Sequence, residues 1–444
     1  MIIGFSKKKQ LHAVGVVSLL LYVFVSYYID RSDFSYFILA YSLLFGAYLY
    51  FNKLEDSHLK PLLVYAFLFR VVHLFAIPHL SDDFYRFLWD GLCTLNDINP
   101  FDYTPIQASD LGLLNSGILL DNMNSPNYYS VYPAINQSIF ALSALGLKQS
   151  LLSAVVIMKL CVLFSEIGSI VLIIKLLDTF LMKRMRVMLY ALNPLVILEF
   201  SHSMHFEVFM VFFVLLAVYL LQQNRWLLSS LAMGLAVCTK IIPLMFLPIL
   251  WRRLPFLKFV TYGLLSIVLF IVLLFPFFNA SFVSHFAQSL TLYFKTFEFN
   301  SSIANFNDLF YGRLWFLKNW FLPALEIGIL LIAYLYFGQK SMLQILLGIC
   351  VLCTVYFLFT RSLHPWYITP ICAFAVFTKL RYPFVWSYLI AWTYISYITP
   401  EYQQNIIVIC VEYLVLIPLI IVDLQQVWIT NPKKDRFFIR NRCI

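Results

Sequence analysis

Apolar residues recur along this chain in stretches of bilayer-crossing length, separated by short polar links. Runs at about 11–29, 34–51 and 58–77 each match the roughly 20 apolar residues that a helix needs to cross a hydrocarbon core. Polarity then rises and stays high to about residue 148, which predicts a long loop. Further runs follow near 150–175, 187–201, 205–221, 256–278, 313–337, 341–360, 365–380, 384–400 and 403–424. The stretch 226–250 is apolar but interrupted at Lys240 and Pro243, which predicts a short hairpin of two half-length helices.

Composition carries the same message. Of 444 residues, 62% are hydrophobic and 12% charged, too few charges to clothe a soluble chain of two or three domains. The pattern therefore predicts an all-α polytopic membrane protein in which the bilayer replaces water as solvent. A net charge of +9 does not point to nucleic acid, because the Lys and Arg gather in short loops and at both ends. With the N-terminus cytoplasmic, 21 of the 31 basic residues fall on the inside, from Lys7–Lys9 to the tail residue Arg442. No small-residue cleavage site follows the first apolar run, so it is expected to be a retained helix. One transmembrane domain is expected over 1–430, with extracytoplasmic loops at 78–148 and 279–312 and a basic cytoplasmic tail at 431–444. The eight cysteines lie mostly within apolar runs and predict neither disulfides nor zinc.

That threading collects the polar constellations on one face, as expected of charge lining a water-filled cavity. In "SDDFYRFLWDG" (81–91), Asp82 or Asp83, Arg86 and Asp90 recur every three to four residues and share a helix face. They read either as an interfacial ion-pair ladder or as a general base with its orienting partners. Lys240 reads as a snorkelling lysine or as a ligand for an anion. Arg361 leads into "SLHPWY", where His364, Trp366 and Tyr367 are interfacial aromatics or a surface for sugar and phosphate. His202, His205 and Glu207 have the spacing of metal ligands, but equally begin a membrane helix with a wet polar turn, and no metal ligand is assigned. Lys159 and Glu166, seven apart on one helix face, serve packing or line the cavity. No glycine-rich phosphate loop is present.

"SDDFYRFLWDG" is followed by "NPFDYTP" (99–105), "VYPAINQ" (131–137), "ALNPLVILEFSHSMHFEVF" (191–209), "GLAVCTKIIP" (234–243) and "HPWYITP" (364–370). This ordered set resembles the membrane-embedded glycosyltransferases of the GT-C superfamily that use polyprenyl-phosphate sugars, and most closely the bacterial polyprenol-phosphate-mannose-dependent mannosyltransferase-like proteins. It covers most of the chain from about residue 58, leaving the first two helices as an addition. The family often has Asp where this chain has Glu207.

The resemblance implies a bundle of about 11–14 transmembrane helices with extracytoplasmic amphipathic loop helices, in a bacterial inner membrane with its site facing the periplasm or exterior. It implies a polyprenyl-phosphate sugar donor, a lipid or glycan acceptor and contact with membrane lipid, with no nucleic acid. It makes Asp82 or Asp83 the base and places His205, Glu207, Asn99, Tyr103 and Tyr132 near substrate. Of the two aspartates Asp83 is preferred, and Lys240, Arg361, Arg86 and His364, on or near the extracytoplasmic side, are the candidates to meet the donor phosphate or sugar. No cofactor is required, although the acidic mouth suits a divalent cation, Mg or Mn, arriving with the phosphate. A hexose, mannose first, is the expected group. The rival readings are a transporter or flippase of lipid-linked saccharides and a surface-polysaccharide ligase or polymerase.

Overall fold

The computed structural model describes residues 7–114, 116–291, 298–301, 322–339, 341–399 and 402–429. The basic tail at 431–444, Lys295, Lys340 and the 292–297 and 302–312 parts of the second loop lie outside the described residues.

Among the described residues, six helices are long and apolar enough to cross a membrane. They are α1 (Lys7–Tyr28) and α2 (Phe34–Phe51), then α6 (Leu151–Thr179), α9 (Phe256–Leu274), α10 (Met342–Phe359) and α11 (Ile406–Ile429). Shorter helices α3 (Leu59–Val71), α4 (Asp83–Leu95), α5 (Ala134–Ala144), α7 (Glu207–Gln222) and α8 (Trp226–Val237) complete the frame. The chain is thus an all-α polytopic membrane protein; the described residues hold one isolated bridge, Phe299 with Ser362.

Long helices are fewer than the 11–14 expected, and proline explains much of the difference. Pro194, Pro365, Pro370 and Pro383 each stand in the first turn of a short helix, where a missing N–H costs nothing, so the apolar runs around them divide into pieces of four to eight residues. The 226–250 stretch breaks where its sequence says it should, into α8 and two 3₁₀ turns at Ile242–Phe246 and Pro248–Arg252.

One broken span shapes the interior. The helix Pro194–Ile197 runs into a π-turn, Leu198–His202, and the chain then bends by 114° before α7 begins. Met204 sits in the left-handed region at φ 63°, an uncommon place for a side-chain-bearing residue. His205 lies within this bend and is buried.

Charges inside the bundle are compensated. Arg70 on α3 donates to Glu166 on α6 at 2.9 Å and to the carbonyls of Ala66 and Ala191, while the Ser201 hydroxyl donates to the other Glu166 oxygen. Lys159 donates to the carbonyls of His73 and Ala76, each at 2.8 Å. Both Lys159 and Glu166 therefore serve packing, tying α6 to the segments that flank it. Removing one partner of such a buried pair costs about 3–5 kcal/mol, so these contacts hold register more than they add stability.

The polar loop folds as an amphipathic hairpin. α4 and α5 cross so closely that a Cβ at Gly91 would meet the Phe140 carbonyl oxygen at 2.2 Å. Phe87, Phe140 and Phe206 pack ring on ring at 4.7–5.2 Å beside this crossing and seat the loop on the start of α7. Gly91→Ala is expected to force the helices apart at a cost of about 1–3 kcal/mol. Thermal unfolding of the detergent-solubilised variant checks this, and an unchanged midpoint would mean that the crossing is looser than described.

Candidate active site

The short connections bring the polar motifs into one cavity of about 1370 Å³. Its walls come from the α1–α2 turn, residues 78–87, the loop at 121–133, the bend before α7, the Lys240 turn, α10 and the segments 362–367 and 394–402. Its lining includes polar groups, among them Asp82, Asp83, Asp121, Asn124 and Lys240, and apolar ones, among them Ile242, Leu244, Met245, Leu330 and Phe357.

The two adjacent aspartates are separated by their partners. Asp82 occupies the N-cap position of α4 without capping it, and instead meets the Arg31 guanidinium at 2.5 Å. Asp83, in the first helical turn, accepts from the Asn124 amide at 2.7 Å and faces the His205 Nε2 at 3.6 Å. Burial raises the Asp82 carboxyl, with Arg31 opposing. Burial also works to raise Asp83, but His205 and Asn124 outweigh it and hold that carboxyl below the ordinary range. Asp83 is therefore ionised at neutral pH while remaining 20% exposed to the cavity, as a proton acceptor must be.

His205 is buried between carboxylates. Its Nδ1 lies 3.1 Å from a Glu199 carboxylate oxygen and 3.1 Å from the Glu199 carbonyl, and its ring stacks on Trp366 at 3.6 Å. His364 also stacks on Trp366, parallel to it at 4.3 Å. Burial lowers its ring to about 3, with the His205 and Lys240 charges adding to the effect and Asp83 opposing, so it is a neutral platform rather than a cation for phosphate. Lys240 pairs with the buried Glu207 at 2.5 Å and lies 5.0 Å from the centre of the Tyr367 ring. Its side chain stays 22% exposed, anchored yet open to an anion.

The structure thus gathers Asp82, Asp83, His205, Glu207, Lys240, His364 and Tyr132 around the cavity. Four expected residues lie elsewhere. Arg86 is buried against Asp90 at 2.7 Å and donates to the carbonyls of Ser125 and Tyr128, so it is a strut for the loop. Arg361 faces Glu298 at 3.6 Å. Asn99 donates to the Phe277 carbonyl, and Tyr103 stands exposed away from the cavity walls. Asp90, Glu298 and the Phe277 carbonyl engage Arg86, Arg361 and Asn99, which motif position alone does not reveal.

Other residues escaped the sequence reading. Arg31 and Asp30 come from the turn between the two helices regarded as an addition; Arg31 lies 5.1 Å from the Tyr397 ring centre and Asp30 meets His79 at 3.0 Å. Asn124 and Glu199 carried no motif signal, although a glutamate six residues before His205 in an apolar run was an available hint. Among the described residues, no three His, Cys, Asp or Glu side chains are arranged to hold a metal. Asp82 and Asp83 turn to separate protein partners, Arg31 for the first and Asn124 and His205 for the second.

The chain matches the model of the MptA_B family, described as alpha-(1->6)-mannopyranosyltransferase, N-terminal domain, over residues 15–253. That is more than half its length, and the chain belongs to this family of mannosyltransferases. The match begins within α1, so the first two helices are part of the family's domain rather than an addition. Among curated proteins and among solved structures, none matches.

Asp90→Ala is expected to destabilise the protein by about 3–5 kcal/mol by leaving Arg86 buried and unpaired, with the donor KM of the folded fraction unchanged. Thermal unfolding and donor kinetics check this together; a raised KM at unchanged stability would return Arg86 to the substrate site.

Proposed function

We propose that the cavity transfers mannose from a polyprenyl-phosphate donor to a hydroxyl of a lipid or glycan acceptor on the extracytoplasmic face of a bacterial inner membrane. The observation that carries this reading is that an ionised, partly exposed carboxylate and an anchored lysine line one cavity whose walls hold both polar and apolar side chains. A lipid-linked sugar phosphate combines the same two kinds of surface.

Asp83 takes the proton of the acceptor hydroxyl as the acceptor oxygen bonds the anomeric carbon. The bond from that carbon to the phosphate oxygen breaks, its electron pair leaving with the polyprenyl phosphate. Lys240 balances the charge that develops on that leaving group. One displacement inverts the anomeric centre, so the α-(1→6) link in the family's description calls for a β-linked donor and a primary 6-hydroxyl acceptor. The isoprenoid chain lies along Ile242, Met245, Leu330 and Phe357, and the acceptor approaches past Asn124 and Tyr132. Trp366 and the neutral His364 offer flat faces for the sugar.

Leu330, Tyr356, Trp366 and Tyr394 lie beyond the residue 253 boundary of the family match and still form cavity wall, which supports one transferase domain through residue 430. A transport reading calls for charges near mid-bundle that face a pathway; Arg70, Lys159 and Glu166 instead meet protein groups and line no part of this cavity.

Radiolabelled mannose supplied on a synthetic polyprenyl phosphate is expected to enter membrane lipid or glycan with the wild-type protein. Asp83→Asn should lower the rate by about 10²–10⁴-fold, the usual contribution of a general base, and Asp82→Asn by far less. Lys240→Ala should lower kcat by about 10²–10³-fold, as for loss of one charge-stabilising group. Wild-type turnover in Asp83→Asn would remove the base assignment, and absence of transfer from any lipid-linked sugar would remove the donor class.

A further inference from the structure

The base does not stand alone, and its support reaches a residue that does not itself line the cavity. Glu199 is buried, lies in the π-turn before the bend, and accepts from the Tyr394 hydroxyl at 3.0 Å. Both its carboxylate and its backbone carbonyl lie 3.1 Å from Nδ1 of His205. A carbonyl oxygen can only accept, so Nδ1 carries a proton, and the opposite nitrogen is the one aimed at Asp83 and the Ser81 hydroxyl. Trp366 stacked on the ring removes its remaining freedom to turn. A π-turn and a left-handed Met204 are both costly, and both are used to deliver Glu199 and His205 to the same point.

We infer that Glu199 is a positioning residue for the transfer, acting on Asp83 through His205. The inference rests on Asp83 as the base. Glu199 fixes the ring and favours a proton on Nε2; that N–H then steadies the Asp83 carboxylate in its ionised form, on the side away from the acceptor. The other titratable or charged neighbours are His364 beside the same tryptophan, Asp82 with its partner Arg31, Tyr367 and Tyr397 near Asp83, Tyr394 and Tyr41 near Glu199, and Lys240. No other carboxylate among the described residues is placed to hold Nδ1.

The sign of the effect follows. His205 holds the Asp83 carboxyl below its ordinary range. Weakening the proton on Nε2 lets that carboxyl rise, so the acid limb of the kcat/KM profile moves to higher pH. In Glu199→Gln the limb is expected to shift upward by about a pH unit, with kcat at neutral pH down about tenfold, donor KM unchanged and thermal midpoint close to wild type. His205→Gln should shift the limb the same way, and the double variant should shift it no further, since Glu199 acts only through the ring. An unmoved limb in folded Glu199→Gln, or additive shifts in the double variant, would overturn the inference. Should Glu199→Gln fail to fold, Glu199→Asp replaces it: the shorter side chain draws the carboxylate away from Nδ1 and is expected to move the limb in the same direction by less; no movement there has the same force. Asp83→Asn is run alongside: full activity in that variant removes the base reading itself, whereas inactive Asp83→Asn with an unmoved limb removes only the role of Glu199.

Discussion

A charged side chain in a bundle solvated by hydrocarbon has to meet an opposite charge, a backbone carbonyl or water, and the interior of this protein is organised by that constraint. Arg70 with Glu166, Lys159 with two carbonyls and Arg86 with Asp90 are the closed solutions, each ion paired with protein groups outside the cavity lining. They fix where α3, α4 and α6 stand relative to one another. The open solutions are Asp83 and Lys240, each held on one side by a buried partner and left exposed on the other. The difference between strut and site is whether the last face of the ion looks into a cavity.

The same constraint explains the broken helix ahead of α7. A continuous helix from Pro194 would carry Glu199, His202, His205 and Glu207 through the bundle with their side chains spread around its axis. The π-turn and the 114° bend instead bring Glu199 and His205 together and turn Glu207 towards Lys240. Backbone strain at Met204 is balanced by four polar groups finding partners in a region with little water.

The short turn between α1 and α2 shows how a distant segment completes the arrangement. Arg31 neutralises Asp82, and so divides two neighbouring carboxylates into one that is paired and one that is available. Two adjacent aspartates differ in chemistry here because a residue some fifty positions away selects between them.

Much of the membrane architecture was legible in the chain. Apolar runs of helix length, the basic bias of the inside loops and the break at Lys240 and Pro243 follow from solvation and backbone rules that act locally. So did the candidacy of Asp83, Lys240, His205 and Glu207, because polar groups in apolar surroundings stand out without any knowledge of their neighbours. The roles of Arg86, Arg361 and Asn99 were not legible, since each depends on a partner far along the chain: Ser125 and Tyr128, Glu298, or Phe277. Arg31 and Glu199 were invisible for the same reason. The sequence by itself determined that the protein lies in a membrane and which polar groups need an explanation; only the tertiary structure decided which of them face the cavity, because an ion's role is set by what surrounds it in space.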